Sequence, residues 1–393
     1  MIGVDARRTE VAGTEHLPGY DVSHTLALVD EAITSVEASC HELFDEFVNG
    51  SASRATRAGR MTHAVNCAFE RMGFHVARAS YARDVQRAQG DRRGGWRGIG
   101  RLRAMMAAPG DFDSVYERLA DDASRLTFDW FVRSRTAAAF MGQASLSLYP
   151  SPGFHEESSE KARDLPQRRG NGYAVGGAVI ESDLEAVLDC FVREQYRLEG
   201  RVEVRPGDVV LDLGAYKGES SVWLARQAGP SGLVLALEPN PVSRAFLKRN
   251  VARAENLGIS PIRILPVAAG SSHRREKFVG TAEGCSRLDT GGAMTVDVTT
   301  LDDVVLEHEL TRVDFVKMDI EGGEVDALKG ARKTILQYAP RLAVSAYHLA
   351  RDLPDIVSLV RELRPDYRFF LSQKSPGLYE TMLFASVEGK PSE

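Results

Sequence analysis

The sequence predicts an α/β fold: a mainly helical N-terminal region followed by a doubly wound, Rossmann-like sheet that ends in an antiparallel hairpin. Three observations predict it. From about Gly176 onward, apolar runs of strand length alternate with helical stretches, the order that builds a parallel sheet with helices on both faces. The run Gly207 to Leu213 is almost continuously hydrophobic, as a strand buried on both faces must be, and it stops at the glycine-punctuated turn Gly214-Ala-Tyr-Lys-Gly218. The last two apolar runs, Tyr367 to Ser372 and Tyr379 to Ala385, are separated by Gln373-Lys-Ser-Pro-Gly-Leu378, short enough for a hairpin, so the final strand should run antiparallel to the rest.

The elements follow in order. Residues 1 to about 20 read as an unstructured arm. Val22 to Phe47 carries Leu26, Ile33, Val36, Leu43 and Phe47 at helical spacing, and a second helical stretch runs from about Met61 to Met72. Arg83 to Arg103 is rich in arginine and glycine around Trp96, but Asp84 and Asp91 dilute the charge, so it reads as a solvated loop and not as an RNA-binding segment. Met105 and Met106 read as core fillers. Asp111 to Met141, with Val115, Leu119, Leu126, Phe128, Phe131 and Val132, reads as one or two amphipathic helices with Asp111 and Asp113 as caps. Pro150, Pro152 and Pro166 among clustered charges mark a boundary, which divides the chain into a helical region (1–150), a linker or lid (151–190) and a sheet domain (191–393). Within that domain the strand at 207–213 leads into a helix from Ser220 to Gln227. Further strands are expected at Leu233 to Leu237, Ile262 to Val267, Val313 to Ile320 and Leu342 to Tyr347.

Composition narrows the function classes. A chain of 393 residues, 43% hydrophobic and 26% charged, is ordinary for globular protein of about two domains. A net charge of −6 gives no electrostatic footprint for nucleic acid or an anionic membrane. Neither a Pro-Pro-Tyr element nor a Pro-Cys nucleophile follows the fourth strand, which also argues against nucleic-acid bases as substrate. Cys40, Cys67, Cys190 and Cys285 are widely spaced and read as free thiols of a reducing cytoplasm, without a zinc or disulfide pattern. The N-terminus carries Asp5, Glu10, Glu15 and Asp21 with no unbroken apolar run, so neither a signal peptide nor a spanning helix is expected.

The chemistry is concentrated at two places. In the first, Gly214 and Gly218 let backbone approach a ligand where a Cβ would collide, and the helix from Ser220 points its free N–H groups at the same crevice. Twenty residues on, Glu238 sits at the carboxyl end of the second strand, where an acid can accept both hydroxyls of a ribose. Pro239 closes that strand, and Asn240-Pro241 is a helix start with cap and first-turn proline. Tyr216 occupies the position where a dinucleotide fingerprint has the glycine that admits a pyrophosphate. A bulky residue there favours a ligand with nucleoside and amino-acid ends, S-adenosylmethionine, over NAD, although an NAD-dependent oxidoreductase on a similar sheet remains the rival reading. A cofactor-binding partner without turnover is a third.

In the second place, Val313-Asp-Phe-Val-Lys-Met-Asp-Ile-Glu-Gly-Gly-Glu324 is a buried strand that delivers Asp319 to the crevice between the first and fourth strands. A carboxylate ending a strand of Phe315, Val316 and Met318 is hard to explain by packing, because burying it unpaired costs several kcal/mol. Glu321 and Glu324 stand near the positive end of the following helix, where they either compensate its dipole or join the site. The fifth strand ends in Tyr347-His348 beside Asp319. A neutral His348 with pKa near ~6.5 could take the proton of a hydroxyl acceptor during in-line methyl transfer. Equally, Asp319, His348 and Glu321 or Glu324 could hold Mg²⁺, Mn²⁺ or another divalent cation that acidifies the acceptor. Spacing alone does not separate the two.

These segments, Asp212-Leu-Gly-Ala-Tyr-Lys-Gly-Glu219, Glu238-Pro-Asn240, Thr300-Leu-Asp-Asp303, Val316-Lys-Met-Asp-Ile-Glu-Gly-Gly-Glu324, Tyr347-His348 and Ser375-Pro-Gly-Leu-Tyr-Glu380, resemble the FkbM family of class I, S-adenosylmethionine-dependent methyltransferases. The likeness covers about residues 190 to 386. It implies O-methylation of a small natural product such as a polyketide or glycoside, with N-methylation as the alternative. It also implies that Gly214 and Gly218 contact the methionyl part, that Glu238 holds the ribose and that Asp319 borders the transferred methyl, with Asp212, Ala215, Ser220 and Asn240 as further cofactor-binding residues. Gln195-Tyr196 looks like the segment that closes over the cofactor. The first 150 residues, where the likeness is weaker, would encode acceptor specificity or a homodimer contact.

Overall fold

The computed structural model describes residues 23–50, 98–152, 165–280 and 286–387. The expected arm at 1–20, the helix at 61–72 and the arginine-glycine segment up to residue 97 lie outside the described residues. The N-terminal region is helical where described: α1 (His24–Gly50), α2 (Gly98–Ala107), α3 (Pro109–Arg118) and α4 (Asp122–Met141). Asp113 does cap a helix, but through space: its carboxylate accepts the Thr25 N–H at the start of α1 (2.8 Å). Asp121, not Asp111 or Asp113, caps α4 by accepting from Ser124 N–H at 2.7 Å. Leu126 and Met106 are 70% and 56% exposed, while Met105 is fully buried. Adjacent helical residues point about 100° apart, so Met105 and Met106 cannot both face one core.

Residues 165–180, part of the segment expected to be linker or lid, form a small antiparallel sheet, β1 (Gln167–Arg169), β2 (Gly172–Val175) and β3 (Ala178–Ile180), and α5 (Leu184–Phe191) follows. Strands of three or four residues leave too little alternation to read. Next come β4 (Val209–Leu213), α6 (Glu219–Ala228), β5 (Leu233–Leu237), α7 (Pro241–Ala254) and β6 (Ile262–Leu265). The segment after β6 carries a second sheet that the sequence did not disclose: β7 (Ala268–Ala269), β8 (Arg274–Val279), β9 (Arg287–Leu288) and β10 (Met294–Thr299), ordered β7-β10-β8-β9. Its strands are short or charged, and of β8 only Phe278 is buried, so no apolar run announced it. Then α8 (Leu301–Glu307), capped by Thr300, leads to β11 (Phe315–Met318), α9 (Glu324–Lys329), α10 (Arg332–Tyr338), β12 (Arg341–Ser345), α11 (Asp352–Leu363), β13 (Tyr367–Gln373) and β14 (Thr381–Val387).

The main sheet has the order β13-β14-β12-β11-β4-β5-β6. Its pairs are parallel from β12 to β6, and β14 runs antiparallel between β12 and β13, as the short final loop required. The chain winds outward from β4 to β6 and then crosses back to β11, so the β4/β11 boundary is the switch point at which open α/β sheets hold ligands. The N-terminal helices lie on the outer half of this sheet: Leu28, Phe112 and Phe128 share one core with Leu342, Ile356 and Phe369. Backbone continues the contact, with Ala120 N–H donating to Phe369 O at 2.9 Å and Leu371 N–H to Ser124 Oγ at 3.0 Å. Cys190 is a buried free thiol. Among the described residues no helix is long and apolar enough to cross a membrane.

Candidate active site

At the switch point a cavity of about 370 Å³ opens, within the roughly 300–1,000 Å³ usual for small-molecule sites. Gly214, Tyr216, Glu238, Asp319 and Glu321 line it, so the structure brings both acidic motifs to one space. Its outer wall is the second sheet, which contributes Arg274, Phe278 and Arg287. Glu238, ending β5, is buried; its Oε1 accepts Asn240 N–H (2.7 Å) and its Oε2 accepts Tyr216 N–H (2.8 Å). A carboxylate has about four acceptor positions, so each oxygen keeps capacity for a further donor. Burial pushes this carboxyl up to about 7, against the pull of those two N–H groups. Asn240 turns away to cap α7, accepting from Val242 N–H at 3.0 Å.

The β4–α6 turn works differently from the sequence expectation. Gly214 and Gly218 both have left-handed φ (+77° and +97°), but the crowding that demands glycine comes from protein: a Cβ would meet Asp319 O at 1.9 Å and Leu247 Cδ1 at 2.6 Å. Gly214 N–H and Ala215 N–H both donate to Leu237 O (3.1 Å each) and are not free for a ligand. Asp212, Ala215, Gly218 and Ser220 therefore stand behind the cavity wall. Asp212 is fully buried, accepting from Ser220 Oγ (2.9 Å) and Ser221 Oγ (2.6 Å) and pairing with Lys317 Nζ at 3.1 Å across the β4–β11 ladder. Lys317 also donates to Leu213 O (3.2 Å) and Gly214 O (2.8 Å), so it fastens the first motif to the second. Sequence reading took it as a strand residue, although a lysine inside Phe-Val-Lys-Met is itself a signal of a buried ion pair.

Asp319 ends β11 at the cavity. Its Oδ2 accepts from Tyr196 Oη at 2.9 Å, and its Oδ1 lies 3.3 Å from His348 Nε2. Tyr196 is buried beneath the acid with the Lys317 ammonium 5.0 Å from its ring. His348 is fully buried, with Nδ1 2.9 Å from Glu324 Oε1 and Nε2 3.7 Å from Glu321 Oε2. Burial opposes its charge, but Glu324, Glu321 and Asp319 prevail and lift the imidazole to about 10. This corrects the expectation of a neutral base: an imidazole enclosed by three carboxylates keeps its proton. Glu321 is held in left-handed backbone (φ +57°), and burial lifts its carboxyl to about 7. As donors close enough to share one cation, the structure groups Asp319, Glu324 and His348; of the two glutamates the sequence left open, Glu324 is the one in the group.

Two further residues, named in the sequence only within segments of the family likeness, border the cluster. Glu380, in left-handed backbone at the end of the hairpin loop (φ +68°), accepts from Tyr347 Oη at 2.7 Å and leaves its buried Oε2 without a hydrogen bond. Burial, reinforced by Asp319, lifts it to about 8. Tyr347 in turn stacks on His348 with ring centroids 4.2 Å apart. A strained, buried acid facing a reactive cluster is a site signature that only coordinates reveal.

The strand order and the paired acids at its switch point define a class I methyltransferase fold. Residues 212–369 match the family described as the methyltransferase FkbM domain. It is 27% identical over 162 residues to the hexuronic acid methyltransferase AglP of Haloferax volcanii, covering 41% of this chain and 65% of that protein. It is also 27% identical over 191 residues to the 31-O-demethyl-FK506 methyltransferase FkbM of Streptomyces tacrolimicus, covering 41% of this chain and 73% of that one. A solved methyltransferase FkbM from Methylobacillus flagellatus aligns at 22% identity with a TM-score of 0.49, over 72% of this chain and 60% of that one.

Proposed function

We propose that this chain transfers a methyl group from S-adenosylmethionine to a hydroxyl of a small molecule of the polyketide or glycoside kind. The observation that carries the reading is one cavity bounded by Glu238 at its ribose end and Asp319 at its reactive end. Glu238 fits a ribose because its oxygens face the cavity with acceptor capacity left over, and Asp319 supplies negative charge for a sulfonium. Bound there, S-adenosylmethionine would supply an electrophilic methyl. The residues do the rest: His348 as imidazolium fixes Asp319 and Glu324, and Tyr196 fixes the other oxygen of Asp319.

A hydroxyl acceptor must lose its proton as the new bond forms, and two acids within electrostatic reach of Asp319 are lifted by burial: Glu321, which lines the cavity, to about 7, and Glu380 to about 8. Those two are the proposed proton acceptors, which supports O- over N-methylation. A divalent cation held by Asp319, Glu324 and His348 would displace the imidazole proton and acidify the acceptor in its place. The relatives' names, one for a hexuronic acid and one for 31-O-demethyl-FK506, support an oxygen acceptor on a small molecule. Calorimetric titration tests the reading: S-adenosylmethionine should bind the wild type and bind Glu238→Ala at least tenfold more weakly. No heat of binding to the wild type would defeat it.

A further inference from the structure

Two arginines of the second sheet line the cavity, and the protein engages them differently. Arg274, on β8, is fully taken up: Nε donates to Glu276 Oε2 (2.7 Å), Nη2 to Asp326 Oδ2 (2.8 Å) and Nη1 to Ser272 O (3.3 Å). With an acceptor at each nitrogen, it braces the wall. Arg287 is held far less firmly. It shares the two-residue β9 with Leu288 at the outer edge of the second sheet, opposite Val279 of β8. Its Nη2 lies 3.3 Å from Asp289 Oδ2, beyond the roughly 2.7–2.9 Å of a charge-assisted hydrogen bond. Its Nε is buried with no hydrogen-bond partner, a cost that the fold does not offset. The side chain as a whole is 35% exposed, so the guanidinium remains within reach of a ligand in the cavity it lines.

Position and charge say what that ligand should carry. Ser286, the residue before, accepts from Asn240 Nδ2 at 3.0 Å, which docks the strand beside the Glu238 end. Arg287 itself is within electrostatic reach of Glu321, so it extends toward the reactive end. The other charged groups around it there, Asp319 and Glu321, are acids, and Arg274 is already shared between two carboxylates. A negatively charged group entering this cavity therefore has one cation to meet. Asp289 holds that place meanwhile, kept in its own turn by accepting Gly291 N–H at Oδ1 (3.0 Å). A planar guanidinium suits the oxygens of a carboxylate or a phosphate.

We infer that Arg287 is the recognition point for an anionic group, carboxylate or phosphate, on the methyl acceptor, with Asp289 as the internal counter-ion that this group displaces. That the ligand is the methyl acceptor rests on the proposed methyl transfer, while anion binding at Arg287 does not.

The test is calorimetric titration of the full chain, with and without S-adenosylhomocysteine, using glucuronate, inorganic phosphate and glucose at one ionic strength. Glucuronate or phosphate should bind the wild type, and glucose should not. Binding of glucuronate alone assigns a carboxylate, and of phosphate alone a phosphate. Arg287→Met should bind the effective anion at least tenfold more weakly. Asp289→Asn keeps an oxygen for Gly291 N–H but removes the competing charge, and should bind that anion severalfold more tightly, a gain that a merely structural role for the pair would not give. S-adenosylmethionine should bind the wild type and both variants alike. Its failure to bind the wild type would sink the methyltransferase reading and leave the anion result standing. The inference would be overturned by a wild type indifferent to both anions, by glucose binding as well as glucuronate, or by an Arg287→Met protein that binds the anion as wild type does. An Arg287→Met protein that loses the cofactor instead would assign the guanidinium to S-adenosylmethionine and overturn it equally.

Discussion

Lys317 and Asp212 face each other across β4 and β11, both essentially without solvent. Removing one partner strands the other charge in the core, a loss of roughly 3–5 kcal/mol for buried pairs. Lys317→Met should therefore lower stability by about that much in denaturant titration, and Asp212→Asn in the same chain should recover a large part of it. Glu238 is a second case at this scale. Burial lifts its carboxyl to about 7, and ribose hydroxyls donate more strongly to the ionised form. Affinity for S-adenosylmethionine should then rise between pH 6 and 8 with release of a proton on binding at the lower pH, both read by calorimetry in buffers of different ionisation heat. Glu238→Gln should flatten that dependence; a wild type whose affinity ignores pH over this range would contradict the assignment.

At the scale of elements, the turns separate two costs that a glycine can carry. Gly229 ends α6 at φ +63° with nothing near its would-be Cβ, whereas Gly214 has φ +77° and Asp319 O at 1.9 Å. Gly229→Ala should cost about 1–3 kcal/mol from backbone conformation alone, since φ +63° with ψ −178° is a region only glycine enters readily. Gly214→Ala should cost more, and should also weaken S-adenosylmethionine binding because β11 must move with its terminal acid. Equal losses in both variants would mean that the crowding relaxes freely. The same contrast explains what the sequence disclosed. The Gly-x-x-x-Gly turn, Glu238 and Asp319 were legible because each follows an apolar run that fixes it at the carboxyl edge of a buried strand. The second sheet was not, since its small core of Ala268, Phe278, Val296 and Val298 is drawn from one or two residues of each of three short strands, only Phe278 of them from β8. Glu380 stood in the sequence only as the end of a segment that carried the family likeness; its place beside Tyr347 comes from a left-handed backbone angle, which leaves no local pattern. The neutral state expected of His348 failed for a related reason, because three acids far apart in outlook but close in the chain fold onto one ring.

For the whole molecule, the buried acids set the pH dependence of stability. Burial lifts Glu219, Glu238, Glu321 and Asp352 to about 7 and Glu380 to about 8, from ordinary values of 4.5 for Glu and 3.8 for Asp. A group whose folded pKa is raised stabilises the fold fully below its unfolded pKa and loses that contribution as pH climbs through the folded value. His348, raised from 6.5 to about 10, follows the same sign over a higher window. Asp113, Asp121 and Asp183 shift the other way and withdraw their support only as pH falls through the acid range, and solvent screens them. The sum predicts greatest stability of the ligand-free chain near pH 5 and a steady decline from there to pH 8.5. Because α1, α3 and α4 share one core with β12 and β13, that decline should appear as a single transition in which helix and sheet signals melt together. Phe128→Ala, in that shared core, should lower the whole transition by the equivalent of about 3–5 kcal/mol. Scanning calorimetry between pH 5 and 8.5 decides the matter: a flat or rising melting temperature would show that the acid cluster is already neutralised in the free protein, and two separated transitions would show that the helices are a layer and not part of the core.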